Sequence, residues 1–324
     1  MNRTYRVYVS TDLGGDPDDI QSLYRLIHYS DVLKVEGIGS CTGPGSTPRA
    51  DVIREWIQRV DGDHLRSQGY SELMTESALL SGVTQGATVP GRPSGERSTD
   101  ASRQIIECAR SGTDDLLWVL VWGSITDVAQ ALFEAPDIAD RIRIHFIGSS
   151  NTENDPESGD WVYSFMTDTH PVLWWIENGL LPKRSRDTFR GVYQGGEQGG
   201  EWGNVAFIDT HIRGKGSTHD GLFEQVCGDA FPVAGSPKGT LKEGDSPTML
   251  YLLSPVFGGV GDVDDPLAEN WGGTYARPEP ERFPNYYTDL EADAETCQAT
   301  VSKWRVDYLA HWRDRWMRYG EVES

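Results

Sequence analysis

The chain has 324 residues, 37% of them hydrophobic, with 11 Trp, 13 Tyr and 9 Phe. That is enough apolar matter for one large packed domain or two small ones, and it excludes a disordered chain. The formal net charge of −21 excludes binding nucleic acid through a basic surface or docking on an anionic membrane, and suits a small-molecule ligand or a cation.

Residues 1–12, MNRTYRVYVSTD, run straight into a strand over 6–11 with no apolar leader, so a cytoplasmic protein is expected. Next comes STDLGGDPDDIQSLYRLI, where Asp12, Asp16, Asp18 and Asp19 fall within eight positions. The spacing of Ile20, Leu23, Leu26 and Ile27 predicts a helix over 18–28. KVEGIGS (34–40) reads as a second strand, followed by helices over 49–60 and 101–110. DLLWVLVWG (115–123) is a continuous apolar run bounded by Asp115 and Gly123. It is too short to cross a bilayer and reads as a strand buried on both faces. TDVAQALFE opens a helix with Thr126 as its expected N-cap, and RIRIHFIGSS (141–150) reads as a further strand. This alternation predicts a Rossmann-like α/β fold, a mostly parallel sheet flanked by helices on both faces.

The second half is less regular. GVYQGGEQGGEWGN (191–204) is rich in glycine but lacks the strand-then-helix setting of a dinucleotide loop. KEGDSPTMLYLL (242–253) sets Glu243 and Asp245 at the start of an apolar helix. Trp304, Tyr308, Trp312 and Trp316 recur every four residues, the pattern of a C-terminal helix packed on the body. No composition shift marks a boundary, so residues 1–324 are expected to form one domain with elaborated loops in the second half. Cys41, Cys108, Cys227 and Cys297 are scattered without a CxxC and read as free thiols.

In a sheet of this kind, ligands bind beyond the carboxyl ends of the strands. Three polar stretches fall there: the opening loop, WGSITD (122–127) and GSSNTENDPESGD (148–160). Glu243 and Asp245 add carboxylates from the far end of the chain. Clustered carboxylates can hold a hard cation through oxygen, form an acid/base pair with separated pKa values, or make an acidic turn and helix cap. The last accounts for one or two aspartates, not four around a Gly-Gly. An EF-hand is excluded because Pro17 stands where that loop needs Gly and Leu23 where it needs Glu. No His/Cys grouping suggests zinc. Trp271 is either a ring that stacks on a base or sugar, or a core residue. His170, His211 and His219 read as surface or structural histidines.

TDLGGDPDD, EGDSPTMLYLL and WGGTY (271–275), in this order, resemble motifs of the nucleoside hydrolase superfamily. The likeness is closest to the nucleoside-hydrolase-like domain found in some bacterial cellulose-binding proteins, and WGSITDVAQAL is similar to a further segment of the superfamily. The resemblance implies Ca²⁺, in preference to Mg²⁺, held by Asp12, Asp19, the Thr126 main-chain carbonyl and Asp245. Asp16, in an insertion, is a further candidate ligand. It also implies that Asp18 grips sugar hydroxyls and that Asp12 is the general base. The implied reaction is hydrolysis of the N-glycosidic bond of a ribonucleoside or related ribosyl compound by a homo-oligomeric enzyme. Two departures accompany it. Gly244 stands where nucleoside hydrolases place His, leaving Glu243 as the candidate acid or hydroxyl contact. The E-F-N sugar grip has no clear counterpart, leaving Asn151 as the candidate. Alternatives are hydrolysis of an O- or C-linked glycoside and a non-catalytic carbohydrate-binding protein that keeps the metal site.

Overall fold

The computed structural model describes residues 3–317 except 15–16, 44, 61, 112–114, 182–183, 185–191, 193 and 213–240. Asp16, His219 and Cys227 lie outside the described residues.

Among the described residues, seven strands form one sheet in the order β3-β2-β1-β4-β5-β6-β7, and every pairing is parallel. They are β1 (Tyr5–Thr11), β2 (Leu33–Ser40), β3 (Val83–Thr84), β4 (Leu117–Val121), β5 (Ile142–Phe146), β6 (Trp174–Glu177) and β7 (Tyr286–Tyr287). Every residue of β1 and β4 is buried, as the two-sided cover of a parallel sheet demands. Alternate side chains leave for opposite faces. Val7, Val9, Trp118 and Leu120 join one apolar cluster, with Ile20, Leu23, Leu250 and Trp312. Tyr8, Val119 and Val121 join the other, with Ile105, Val128 and Phe146. The result is the helix–sheet–helix layering expected of this period-two pattern.

Strand order reverses at β1, whose neighbours are β2 on one side and β4 on the other. A crevice opens at such a reversal, beyond the carboxyl ends. The helix Pro17–His28 starts just past β1, with Asp18 and Asp19 in its first turn, where the exposed N–H groups favour anions.

Several elements differ from the sequence expectation. The 148–160 stretch, expected as a polar loop, folds into helices Ser150–Asn154 and Pro156–Asp168, the second capped by the Asp155 carboxylate. Thr126 is not the N-cap of its helix. Ile125 holds that position without a side-chain cap, and the Ser124 hydroxyl accepts the Thr126 N–H at 3.2 Å. The C-terminal aromatic helix runs Arg305–Met317 and buries Tyr308, Trp312 and Trp316. Cys41, Cys108 and Cys297 are buried free thiols. Among the described residues no helix is long and apolar enough to cross a membrane.

Candidate active site

At the carboxyl ends of β1, β4 and β5 lies a cleft of about 120 Å³. Asp12, Asp18, Asp19 and Asp245 line it, together with Trp122, Gly148 and Asn151. Asp12 directly follows β1, and the backbone crowds its carboxylate. A Cβ at Gly43 would lie 2.6 Å from Asp12 Cβ, and one at Gly123 would lie 2.8 Å from Asp12 Oδ1. Only glycine lets the loops after β2 and β4 approach so closely. The Thr11 hydroxyl donates to Asp19 Oδ1 and accepts the Leu13 N–H at 3.1 Å, fixing the turn out of β1.

One carboxylate oxygen from each of Asp18, Asp19 and Asp245 lies within 4.8 Å of the others. At that separation each pair of full charges repels by about 3 kcal/mol at an effective dielectric near 20. Asp245 carries the consequence. Burial, then Asp19, Asp18 and Asp12, push its carboxyl well above the usual carboxylate range, against the opposing pull of Lys242. Its Oδ2 is buried without a hydrogen-bond partner. A buried acceptor left unmade is costly, and a hard cation among oxygen donors removes both the repulsion and the orphan. The donor set is all oxygen, which suits Ca²⁺ or Mg²⁺ and not a thiophilic metal.

Asp245 reaches the cleft through the loop 241–246, which is unusually constrained. Glu243 is fully buried and has a left-handed backbone, φ +44°. Its carboxylate receives Arg25 Nε and Nη2 at 2.6 and 2.7 Å and the Ser246 hydroxyl at 2.9 Å. Gln21 Oε1 accepts the N–H groups of Lys242 and Glu243 at 2.7 and 3.0 Å. The Arg25 guanidinium in turn sits 4.0 Å over the Trp312 ring. The next residue, Gly244, passes so near Asp18 that a Cβ there would stand 2.3 Å from Asp18 Oδ2. Lys242 also lines the cleft, its Nζ 3.5 Å from the same oxygen.

The structure brings Asp12, Asp18, Asp19, Asn151 and Asp245 to one place, and leaves three expected site residues elsewhere. Glu243 is held in a buried ion pair instead of facing the cleft, because Arg25 saturates its carboxylate. Thr126 does not line the cleft. Its hydroxyl donates to Asp155 Oδ2 at 2.5 Å, and the residue that directly follows this strand and lines the cleft is Trp122, four residues earlier. The Trp122 carbonyl accepts Asn151 Nδ2 at 3.2 Å, while the Trp122 indole N–H donates to Thr248 at 2.9 Å. Trp271 is a core residue, 2% exposed and edge-on to Tyr308 at 6.3 Å. His170 pairs with Asp140, and His211 pairs with Glu201 and stacks on Trp202. Trp122, Ile147, Ser150 and Lys242 line the cleft and were not among the expected site residues. The signal for Trp122 was its place directly after the buried strand.

The profile of the family described as "Cellulose-binding Sde182, nucleoside hydrolase-like domain" matches residues 6–275. No curated protein matches the chain. Among solved structures, a nucleoside hydrolase-related hypothetical protein from Saccharophagus degradans, associated with carbohydrate metabolism, is 20% identical. It superposes with a TM-score of 0.67 over 99% of this chain and 73% of that one. The inosine-uridine preferring nucleoside hydrolase from Bacillus anthracis is 14% identical, with a TM-score of 0.52 over 96% and 100% of the two chains. The plant nucleoside hydrolase PpNRh1 is 12% identical, with the same score over 94% and 99%. At these identities the likeness to the solved structures shows a shared fold.

Proposed function

The chain belongs to the cellulose-binding Sde182, nucleoside hydrolase-like family, and on that premise we propose that it is a metal-dependent hydrolase of the N-glycosidic bond of a ribonucleoside or related ribosyl compound. The observation that supports this reading is the convergence of Asp12, Asp18, Asp19 and Asp245 on one cleft at the strand-order reversal, with a buried Asp245 oxygen lacking a partner.

Ca²⁺ is the proposed ion, with Asp12, Asp19 and Asp245 as its ligands and the Trp122 carbonyl as the main-chain candidate in place of Thr126. When bound, it supplies a water of lowered pKa and an anchor for the 2′ and 3′ hydroxyls. Asp12, wedged between Gly43 and Gly123, takes the proton from the attacking water. Asp18 accepts a hydrogen bond from a sugar hydroxyl, and Asn151 also lines the cleft. As the C1′–N bond breaks, the carboxylates stabilise positive charge on the sugar ring. Gly244 has no side chain to protonate the leaving group and Glu243 is locked to Arg25, so this loop favours substrates whose leaving group departs as a stable anion. The proposed setting is a cytoplasmic homo-oligomer acting on a small-molecule nucleoside or glycoside.

A second reading is favoured by the same locked Glu243: a carbohydrate-binding protein that keeps its cation and does not turn over. One experiment separates the two. Nucleosides and p-nitrophenyl riboside are incubated with the protein in Ca²⁺ or in chelator, and reducing sugar is measured. Release abolished by chelator and by Asp12→Ala supports the hydrolase. Saturable binding with no release from any substrate supports the binding protein.

A further inference from the structure

A pocket of about 430 Å³ lies apart from the cleft and shares no lining residue with it. The cleft stands at the carboxyl ends of the strands, whereas Asp31 of the pocket stands just before β2, at the amino edge. The volume is that of a small-molecule site. Tyr70 and Glu72 line the pocket together with Phe257 and with His311, Asp314 and Arg315 of the C-terminal helix. These groups are held in place. The His311 ring packs against Tyr29 and Phe257, with centroids 5.5 and 4.3 Å away, and its Nδ1 is 2.7 Å from the Tyr29 hydroxyl. The Arg315 guanidinium lies over Tyr29 at 4.2 Å and over Tyr70 and Phe257 at 5.3 Å. Its Nη1 donates to the His28 carbonyl, and Nη1 and Nη2 each donate to Asp31 at 3.0 Å. A guanidinium carries five N–H donors, so Nε and one Nη2 proton remain for a ligand. Groups fixed in advance lower the ordering cost of binding.

The chemistry of the lining narrows the ligand. An anion would meet the carboxylates of Asp31, Glu72 and Asp314. A cation would meet Arg315, which already lies over the rings. His311 adds no charge at neutral pH, because burial, then Arg315 and Arg25, lower its pKa to about 4. A neutral ligand remains, one that offers a face to aromatic rings and both gives and takes hydrogen bonds. A sugar ring does this: its C–H face packs on a ring, and each hydroxyl donates and accepts. We propose that this pocket is a second ligand site, for a neutral pyranose: Phe257 and Tyr70 flank the sugar ring, Glu72 and Asp314 accept from its hydroxyls, and Arg315 donates to them. The assignment is independent of the reading of the cleft, since no cation and no cleft residue takes part.

The test is a ligand-observed NMR titration of the full chain, in chelator, with the methyl β-D-glycosides of glucopyranose, galactopyranose and mannopyranose. The expected result is that at least one binds saturably at a single site. Glu72→Ala and Phe257→Leu each weaken it at least 5-fold, and Asp12→Ala, in the cleft, leaves its affinity unchanged. Glu72 is exposed, so Glu72→Ala keeps the wild-type melting temperature, which separates a lost contact from a lost fold; Phe257→Leu keeps apolar bulk and removes only the ring. No saturable binding by any of the three overturns the proposal, as does an affinity that either pocket variant leaves unchanged. Binding lost in Asp12→Ala puts the sugar in the cleft and overturns it too. If tetramethylammonium or adenine binds with the same dependence on Glu72 and Phe257 and no pyranoside does, the pocket takes a cation or a base, and the sugar assignment falls.

Discussion

Replacing Glu243 with Gln separates a buried latch from a catalytic acid. In the wild type the Glu243 carboxylate takes two hydrogen bonds from Arg25 and one from Ser246, and both charged side chains are fully buried. Removing one partner of such a pair strands the other charge in the interior, at a cost of 3–5 kcal/mol in well-studied cases. Gln leaves one acceptor for Arg25, so the lower end, about 3 kcal/mol, is expected. With a urea slope near 3 kcal/mol/M, the unfolding midpoint falls by about 1 M. Combining Arg25→Met with Glu243→Leu costs less than the sum of the single changes, because no stranded charge remains. Under conditions where Glu243→Gln is folded, turnover of p-nitrophenyl riboside in saturating Ca²⁺ falls less than 10-fold, and its pH profile keeps its shape. An unchanged urea midpoint with turnover lost by about 10³-fold, the range of a missing general acid, would refute the latch.

Gly244→Ala places a Cβ 2.3 Å from Asp18 Oδ2, so the loop carrying the proposed ligand Asp245 is pushed away from Asp18; Ca²⁺ affinity by calorimetry falls at least 10-fold, and unchanged affinity would show that the loop has slack. Asp245 is held above its unfolded value of 3.8, so its contribution to stability without a cation is present below about pH 4 and is lost as pH rises through the raised value. Asp245→Asn accordingly raises the melting temperature in chelator at pH 7 and abolishes the rise that Ca²⁺ gives the wild type; in the wild type, Ca²⁺ affinity weakens as pH is lowered. Glu177, buried at the end of β6, is pushed from 4.5 up to about 7, chiefly by burial. Its stabilising contribution is full below pH 4.5 and lost through pH 7, about 3 kcal/mol in all; Glu177→Gln flattens stability between pH 5 and 7 in urea titrations, and an unaltered slope would place the titration in another group.

What could be read in advance depended on how local its cause is. β1 and β4 were legible because two-sided burial writes a continuous apolar run. The helix after β1 was legible from its one-faced spacing. β3, β6 and β7 are two to four residues long, and such segments become strands only because a neighbouring strand is there to pair with them. The aspartates could be tied together only through motifs resembling a known family, since nothing local brings Asp245 to Asp18. The role of Glu243 was illegible for the same reason. Its partner Arg25 is 218 residues away, and an acidic residue ahead of a helix looks solvated until that partner is seen. Thr126 was expected at the cleft and does not line it, because residue types say nothing about which residue after a strand end faces the crevice.

The glycines around the cleft have a wider consequence. At Gly43, Gly123 and Gly244 the backbone itself walls in the carboxylates of Asp12 and Asp18. Like charges on a flexible surface separate by rotating their side chains; here the walls remove those rotations. Their repulsion is therefore stored as a standing electrostatic load, which subsides when a proton or a cation arrives. A site built this way has its appetite for charge set during folding, so substitutions that loosen its walls weaken cation capture even where every carboxylate remains.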